Sequence, residues 1–192
     1  SLPATRLTVK NMKMGIISCT HIPEVMSSLP ARLKEVFRGV DIILHVGDAC
    51  DLATLKHLEN NFTVTMAVCG ERDSAEVKKY VEPKRVVEFS GRKIGMVHGN
   101  RQAQSVTQSA IVRLKEWLRR APPEDDLSAY LLSQFAGVDA IVFGHTHQPY
   151  IKTHDGILLF NPGPASPVEG AGPSVGLLTV GPRSLVGKII YL

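Results

Sequence analysis

The chain has 192 residues, of which 44% are apolar and 21% are charged, and it carries a formal net charge of +4. This length suits one domain with a sizeable core, and the composition favours a globular protein over a disordered one. No apolar run approaches the ~20 residues of a membrane span, and three widely spaced cysteines exclude a disulfide framework.

Residues 1–12 lack the apolar core of a signal peptide, and we expect them to form an N-terminal extension of a cytoplasmic protein. Reduced cysteines agree with that compartment. The densest basic stretch, 113–120, mixes its charges with apolar residues at helical spacing. This pattern is typical of a solvated helix face, so we do not expect nucleic acid as a partner.

Short apolar runs rich in Val and Ile predict buried strands over 13–18, 40–46, 62–68 and 139–144. Helical patterns separate the first three runs. The pattern over 28–39 has Ser28 as its N-cap and Gly39 as its end, and the pattern over 51–61 is capped by Asp51. Alternating strands and helices predict a parallel sheet with right-handed crossovers.

The second half of the chain predicts antiparallel pairs. Residues 85–99 read as two strands about a glycine turn, and 174–192 as a hairpin. Residues 150–160 predict another hairpin, with Asp155-Gly156 at the turn, the pair that a type I′ turn prefers. Two packed sheets with helices outside would bury both halves.

Between these halves, residues 100–137 are predicted to form a helical insertion. Its two helices break at Pro122-Pro123, and Asp125 or Asp126 caps the second helix. Residues 13–192 therefore read as a single domain that carries this insertion.

Polar side chains follow the carboxyl ends of five predicted strands, the edge at which open α/β sheets bind ligands. The side chains that collect there are Cys19, His21, Asp48, Glu71, Asp73, His98, His145 and His147. Because residues two apart on an extended strand point the same way, Cys19 and His21 can share one ion. This set of side chains suits two divalent metal ions.

Each of these residues, taken alone, also fits a plainer interpretation as a turn, cap or core residue. The Gly-His-Thr-His stretch is the exception, because two imidazoles after a buried strand are costly without partners. Cys50 and Cys69 are predicted to be small buried hydrophobic residues. The remaining histidines, His45, His57 and His154, are predicted not to be ligands.

The ordered motifs SxTH, GD, GxxD, HG and GHTH resemble the calcineurin-like metallophosphoesterase family, in particular its small bacterial and archaeal phosphodiesterase branch. The resemblance extends from Met14 to the C-terminus and includes the NPG loop at 161–163. It implies an αββα sandwich of two mixed β-sheets flanked by helices, with a dinuclear metal centre. It also implies hydrolysis of a phosphoester, either a small molecule or a nucleotide, by a metal-bridging hydroxide.

The resemblance also implies the ligands of each metal ion. The first ion would be held by Cys19, His21, Asp48 and His147, and the second by Asp48, Glu71, His98 and His145. Cys19 stands where the family has Asp, and Glu71 where it has Asn. A soft thiolate favours Zn²⁺ or Fe over Mn²⁺ or Mg²⁺, so Mn, Zn, Fe and Ni stay open as the metals and activity is expected to be reduced.

Arg72 occupies the place where many larger family members have a catalytic His, and it could steady a phosphate oxygen. The expected catalytic residues are therefore Asp48, His98 and Arg72. The stretch 21–35 also resembles a related retromer subunit that has this fold and acts as a scaffold. A catalytically weak or inactive scaffold with a protein partner is thus the alternative, and self-association stays open.

Overall fold

The computed structural model describes residues 11–100 and 123–192. In these ranges, strands β1 to β10 are, in chain order, Met12–Ile17, Ile42–Val46, Thr65–Val68, Lys84–Phe89, Arg92–Val97, Ala140–Val142, Tyr150–His154, Ile157–Asn161, Ser174–Gly181 and Ser184–Tyr191. Helices α1 to α4 are Leu33–Val36, Leu52–Asn61, Ala75–Tyr80 and Pro123–Ser133. None of these four helices has the length and apolar character to cross a membrane.

The strands form two five-stranded mixed sheets. The first has the order β10-β9-β1-β2-β3, in which β1, β2 and β3 run parallel and β9 pairs antiparallel with β1 and β10. The second has the order β4-β5-β6-β8-β7, in which β5, β6 and β8 run parallel and the outer strands are antiparallel. Two mixed sheets flanked by helices confirm the predicted fold class.

The main core lies between the two sheets. Met14, Ile16 and Leu44 from the first sheet share one buried cluster with Met96 and Phe160 from the second. Alternate residues face the opposite way, because successive side chains of a strand point to opposite faces of its sheet. Two layers of helix cover these outer faces.

Helices α1 and α2 cover the first sheet, where Leu33 and Leu58 pack with Ile17 and Ile43. Helix α4 covers the second sheet through Leu131, which packs against Ile141, Phe143 and Leu159. Each helix is therefore positioned by apolar side chains on one of its faces.

Most predicted elements are present with shifted ends. The cap of α2 is as predicted, since Oδ1 of Asp51 accepts a 2.8 Å hydrogen bond from the backbone N–H of Thr54. The β7–β8 turn is also as predicted: Asp155 and Gly156 have φ of 49° and 80°, the positive values that a type I′ turn requires.

Helix α1 is much shorter than predicted and begins after Arg32, not at Ser28. Leu29 precedes Pro30, and a residue before proline is sterically disfavoured in the helical region, which opposes a helix that starts from Ser28. Helix α3 was not predicted, although Ser74 caps it by accepting a hydrogen bond from the backbone N–H of Val77. Ser before a short polar run is a weak signal on its own.

Helix α4 begins at Pro123, so Asp125 and Asp126 lie inside its first turn and neither is its cap. A helix start at proline agrees with the predicted break, because proline lacks the N–H that the first helical residue leaves unpaired. The other predicted helix of the insertion lies within 101–122, outside the described residues. So do residues 1–10 of the predicted N-terminal extension.

The topology brings six loops to one edge of the sandwich. The parallel strands β1, β2 and β3 all end there, and so do β5, β6 and β8 of the other sheet. Ion-binding side chains placed after these strands are therefore close in space, although they are far apart in sequence.

Packing between the sheets predicts the effect of one added methyl group. Gly176→Ala should destabilise the fold by about 1–3 kcal/mol, because its Cβ would lie 2.5 Å from Cζ of Phe160 and 3.2 Å from Cβ of Ile16. Gly172→Ala is the matched control, since a Cβ there meets nothing within 4 Å. Urea unfolding midpoints measure both, and an unchanged midpoint for Gly176→Ala would contradict the tight inter-sheet packing.

Candidate metal centre

The loops at this edge share an unusual backbone conformation. Five of the predicted ligands have left-handed backbones, with φ of 51°, 47°, 59°, 66° and 56° at Cys19, His21, Asp48, His145 and His147. Non-glycine residues rarely adopt positive φ, and such residues cluster at functional sites, where the surroundings hold them. The edge is therefore built from strained loops, and its side chains do not extend from regular strands.

The ligand atoms of Cys19 and His21 do lie within 4.8 Å of each other, but an extended strand is not the reason. Strand β1 ends at Ile17, and both residues are left-handed. The backbone N–H of Cys19 donates to the carbonyl of Gly47, at 3.0 Å, and that of His21 donates to the carbonyl of Asp48, at 3.1 Å. The loop after β1 is thus tied directly to the loop after β2.

Two groups of ligand atoms converge within the described residues. Sγ of Cys19 lies with nitrogen atoms of His21 and His147 in the first, and with a carboxylate oxygen of Asp48 and a nitrogen of His98 in the second. Within each group, the atoms lie within 4.8 Å of one another. Cys19 belongs to both groups, a position that the sequence assigned to Asp48.

The Asp48 carboxylate also lies between the two groups. Its Oδ2 is 3.0 Å from Nε2 of His98 and 3.6 Å from Nε2 of His21. The imidazoles of the Gly-His-Thr-His loop stand edge-on beside these two, with ring centroids 5.3 Å apart for His21 and His147 and also for His98 and His145.

The predicted second ligand set is divided by depth. Asp48 and His98 are buried, whereas the side chains of His145 and Glu71 are 36% and 54% exposed. Nδ1 of His145 lies 3.8 Å from Oε1 of Glu71. These two residues form an outer rim, and the compact groups of ligand atoms do not include them.

The buried imidazoles fit the role of metal ligands. Nδ1 of His98 lies 2.8 Å from the carbonyl of Val46, and Nδ1 of His21 lies 3.2 Å from Oγ of Ser166. Their Nε2 atoms, by contrast, are buried beside Oδ2 of Asp48, with which neither forms a hydrogen bond of suitable geometry. Metal-bound histidines typically use one nitrogen for the ion and the other for a carbonyl or hydroxyl group, so the donor set suits a divalent transition metal.

Electrostatics link Asp48 to its neighbours. Burial would by itself raise the pKa of Asp48, but His21, His98 and the backbone N–H of Arg72 hold it well below its usual range. Burial would lower the pKa of His98, and the carboxylate of Asp48 raises it instead. Burial raises the pKa of Cys19 to about 12, so a cation must displace the thiol proton to bind there.

Two glycines allow the close approach of these groups. A Cβ on Gly70 would lie 2.2 Å from Oδ1 of Asp48, and one on Gly47 would lie 2.5 Å from Nδ1 of His98. Gly47 also has φ of 94°. Any side chain at either position would displace a candidate ligand.

Asp73 supports the centre without belonging to it. Its carboxylate accepts three backbone hydrogen bonds, from Gly70 at 2.7 Å, Cys50 at 2.7 Å and Asp48 at 3.2 Å. Burial raises its pKa despite these bonds. The sequence analysis counted Asp73 among the strand-end side chains that suit metal ions but assigned it to neither ligand set. Its supporting role depends on folded backbone donors, which a motif does not reveal.

Arg72 contacts Asp48 through its backbone, whose N–H donates to Oδ1 at 2.9 Å. Its exposed guanidinium pairs with Glu24, and their closest atoms are 2.6 Å apart. This partner raises the pKa of Arg72 further.

The three histidines predicted not to be ligands remain outside the converging groups of ligand atoms in the described structure. Of the three histidines, His45 lies inside β2, His57 on α2 and His154 on β7. Neither converging group of ligand atoms includes any of them. Cys50 is buried, as predicted, whereas Cys69 is only half-buried.

The model of the calcineurin-like phosphoesterase superfamily domain matches residues 12–182. The chain belongs to this superfamily. It is 30% identical over 180 residues to a probable metallophosphoesterase of Methanothermobacter thermautotrophicus, covering 93% of this chain and 92% of that protein. It is also 26% identical to a phosphodiesterase of Methanocaldococcus jannaschii, covering 87% of this chain and 92% of that protein.

Among solved structures, this phosphoesterase-superfamily chain is similar to vacuolar protein sorting 29 of Cryptosporidium parvum. The TM-score is 0.69 and the identity 25%, over 95% of this chain and 92% of that one. Membership of the superfamily implies binding of divalent metal, and the converging side chains supply candidate ligand groups for it.

Because Asp73 bonds to the backbone of two loops, replacing its carboxylate by an amide should lower the stability of the protein strongly. Asp73→Asn should destabilise the protein by roughly 2–4 kcal/mol, because three buried N–H groups lose a charged acceptor. Asp51→Asn is the matched control, since asparagine also caps helices well. Chemical denaturation compares the two variants, and equal losses would show that Asp73 has no special role.

Proposed function

We propose that this chain is a metal-dependent phosphoesterase, most specifically a phosphodiesterase, with two divalent ions at the sandwich edge. The proposal rests on the convergence of two ligand groups that share Cys19. In these groups, the buried Nε2 atoms of His21 and His98 lie beside the Asp48 carboxylate without a hydrogen bond of suitable geometry. The match to the superfamily model and the similarity to a named phosphodiesterase support the reaction class.

The first ion would be held by Cys19, His21, Asp48 and His147. The second would be held by the buried pair Asp48 and His98, with Glu71 and His145 contributing from the rim and Cys19 within reach. When bound, such ions neutralise phosphate oxygens and lower the pKa of water enough to supply hydroxide near neutral pH.

The chain's own residues would orient the reaction. Asp48 stays ionised between two imidazoles, and the bond from His98 to the carbonyl of Val46 fixes the orientation of its ring. Arg72 lies at the exposed side of the centre, where a phosphate oxygen would compete with Glu24 for its guanidinium. Arg72 would thus bind substrate, with Asp48 and His98 as the inner catalytic residues.

The chemistry of the ligand atoms determines which metal ions the centre would prefer. A buried thiol at the shared position favours Zn²⁺ or Fe over Mn²⁺, while imidazoles also suit Ni²⁺. We infer that Cys19 and Glu71 reduce activity with hard ions. A cytoplasmic location agrees with the free state of Cys19, Cys50 and Cys69, since a reducing compartment preserves thiols.

A second candidate function is a scaffold that binds a protein partner. Its support is the similarity in fold to vacuolar protein sorting 29 of Cryptosporidium parvum, together with the soft Cys19 in place of a carboxylate. A scaffold needs no turnover, so metal affinity and hydrolysis distinguish the two functions.

The proposal predicts that substitution of Asp48 lowers the rate of hydrolysis more than substitution of any other proposed ligand. Asp48→Asn should lower hydrolysis of bis(p-nitrophenyl) phosphate by about two orders of magnitude, because one charged group faces both ligand groups. Asparagine tolerates the left-handed backbone at this position. His21→Ala should lower the rate of hydrolysis less than Asp48→Asn does, and His57→Ala on α2 should leave the rate unchanged.

Metal-stripped protein reloaded with Zn²⁺ or Mn²⁺ provides the assay, with metal content determined in parallel. Wild-type protein that binds neither ion more tightly than millimolar and shows no turnover would favour the scaffold. Near wild-type turnover by Asp48→Asn would contradict the assigned centre.

Cys19 predicts a switch in metal preference. Cys19→Asp should raise Mn²⁺-dependent turnover about tenfold, a change equivalent to ~1.4 kcal/mol in the barrier, because a carboxylate is the harder ligand. Aspartate also accepts the φ of 51° at this position. Cys19→Ser should lower the occupancy of both ions, since Cys19 belongs to both groups. A serine variant with full metal content would remove Cys19 from the ligands.

A further inference from the structure

His45 is the penultimate residue of β2 and is fully buried. Its neighbours in the strand, Leu44 and Val46, face the core between the sheets, so the imidazole lies on the outer face of the first sheet. Burial, with a further contribution from His98, lowers the pKa of His45 to about 3. A neutral imidazole in such a place needs hydrogen bonds to offset its desolvation.

The contacts of His45 define its tautomer. Nε2 lies 3.3 Å from Oγ1 of Thr20, whereas Nδ1 is buried and has no hydrogen-bond partner. Buried N–H groups without partners are rarer than buried acceptors without them, so we place the proton on Nε2. The imidazole then donates to Oγ1 of Thr20.

Thr20 connects His45 to the candidate metal centre through its hydroxyl group. With Oγ1 accepting from His45, its hydroxyl proton is free to donate to the carbonyl of Asp48, 3.5 Å away. That carbonyl also accepts from the backbone N–H of His21 at 3.1 Å. Thr20 lies between Cys19 and His21, so one hydroxyl joins the loop that carries these two residues to the loop that carries Asp48.

The three candidate ligands on these loops all have positive φ. Strained conformations of this kind persist only where the surroundings hold them. Thr20 and His45 belong to the surroundings that hold these conformations, and both are fully buried. They contact the ligand loops through hydrogen bonds, and they belong to neither group of ligand atoms.

We propose that His45 is a positioning residue that acts through Thr20 to hold Cys19, His21 and Asp48 in metal-binding geometry. The inference rests on the proposed function of the centre. In this proposal, the hydrogen bonds that run from His45 through Thr20 to the Asp48 carbonyl form a relay that raises the affinity for metal. His45 itself contacts neither metal nor substrate.

The test is a Co²⁺ titration of metal-stripped full-length protein, read from the thiolate-to-cobalt absorption band. Thr20→Val removes the hydroxyl at nearly constant volume and should weaken Co²⁺ binding about tenfold, the lower end of the range for outer partners of metal ligands. Thr20→Ser keeps the hydroxyl and should bind within about twofold of wild type. His45→Leu should match Thr20→Val.

A double-mutant cycle makes the test specific. Because the two residues act as one relay, the double variant of Thr20→Val with His45→Leu should bind no more weakly than either single variant. The matched control is Thr65→Val, which removes a half-buried hydroxyl that donates to the carbonyl of Thr63 at 3.1 Å, at the start of β3 and so at the opposite end of the sheet from the ligand loops. This control should leave Co²⁺ affinity unchanged.

Wild-type affinity in Thr20→Val, or an equal loss in Thr65→Val, would overturn the relay. So would additive losses in the double variant. The Thr20 variants keep the test decisive if His45→Leu does not fold. Failure of the wild-type protein to bind Co²⁺ would overturn the proposed function and this inference together, whereas unchanged binding by Thr20→Val would overturn the inference alone.

Discussion

The edge of this sandwich depends on one buried contact between its sheets, the 3.0 Å approach of the Asp48 carboxylate to the imidazole of His98. Asp48 follows β2 of the first sheet and His98 follows β5 of the second. A carboxylate out of water is costly unless charges or donors face it. His21 and the backbone N–H of Arg72 supply further partners, so this one residue joins its own loop to three others.

Around this contact, a layer of buried polar side chains bonds to backbone groups. Asp73 accepts from the loops after β2 and β3. Ser166 donates to the carbonyl of Cys19 at 2.8 Å, and Asn161 donates to the carbonyl of Gly144 at 2.9 Å and to Oγ1 of Thr146 at 3.0 Å. Left-handed loops offer few regular backbone partners, and these side chains replace them.

The sequence predicted the strands, the hairpins and the edge where the ligands meet, because apolar periodicity and turn residues are local signals. It overestimated α1, where Leu29 before Pro30 outweighed the apolar pattern, and it missed α3 after Ser74. It also placed Cys19 and His21 on an extended strand, although both are left-handed. The hydrogen bonds of Asp73 and the role proposed for His45 depend on contacts between residues far apart in the chain, which no local pattern encodes.

The division of the centre by depth determines how a molecule would approach it. His21, His98 and Asp48 are almost completely buried against the sheets, while Glu71 and His145 form a half-open rim. A phosphoester hydrolysed here must therefore extend its phosphoryl end inward past the rim and leave its bulkier part outside. For the proposed reaction, the distance by which an ester extends its phosphoryl group beyond its bulkier part would then matter more than its overall size.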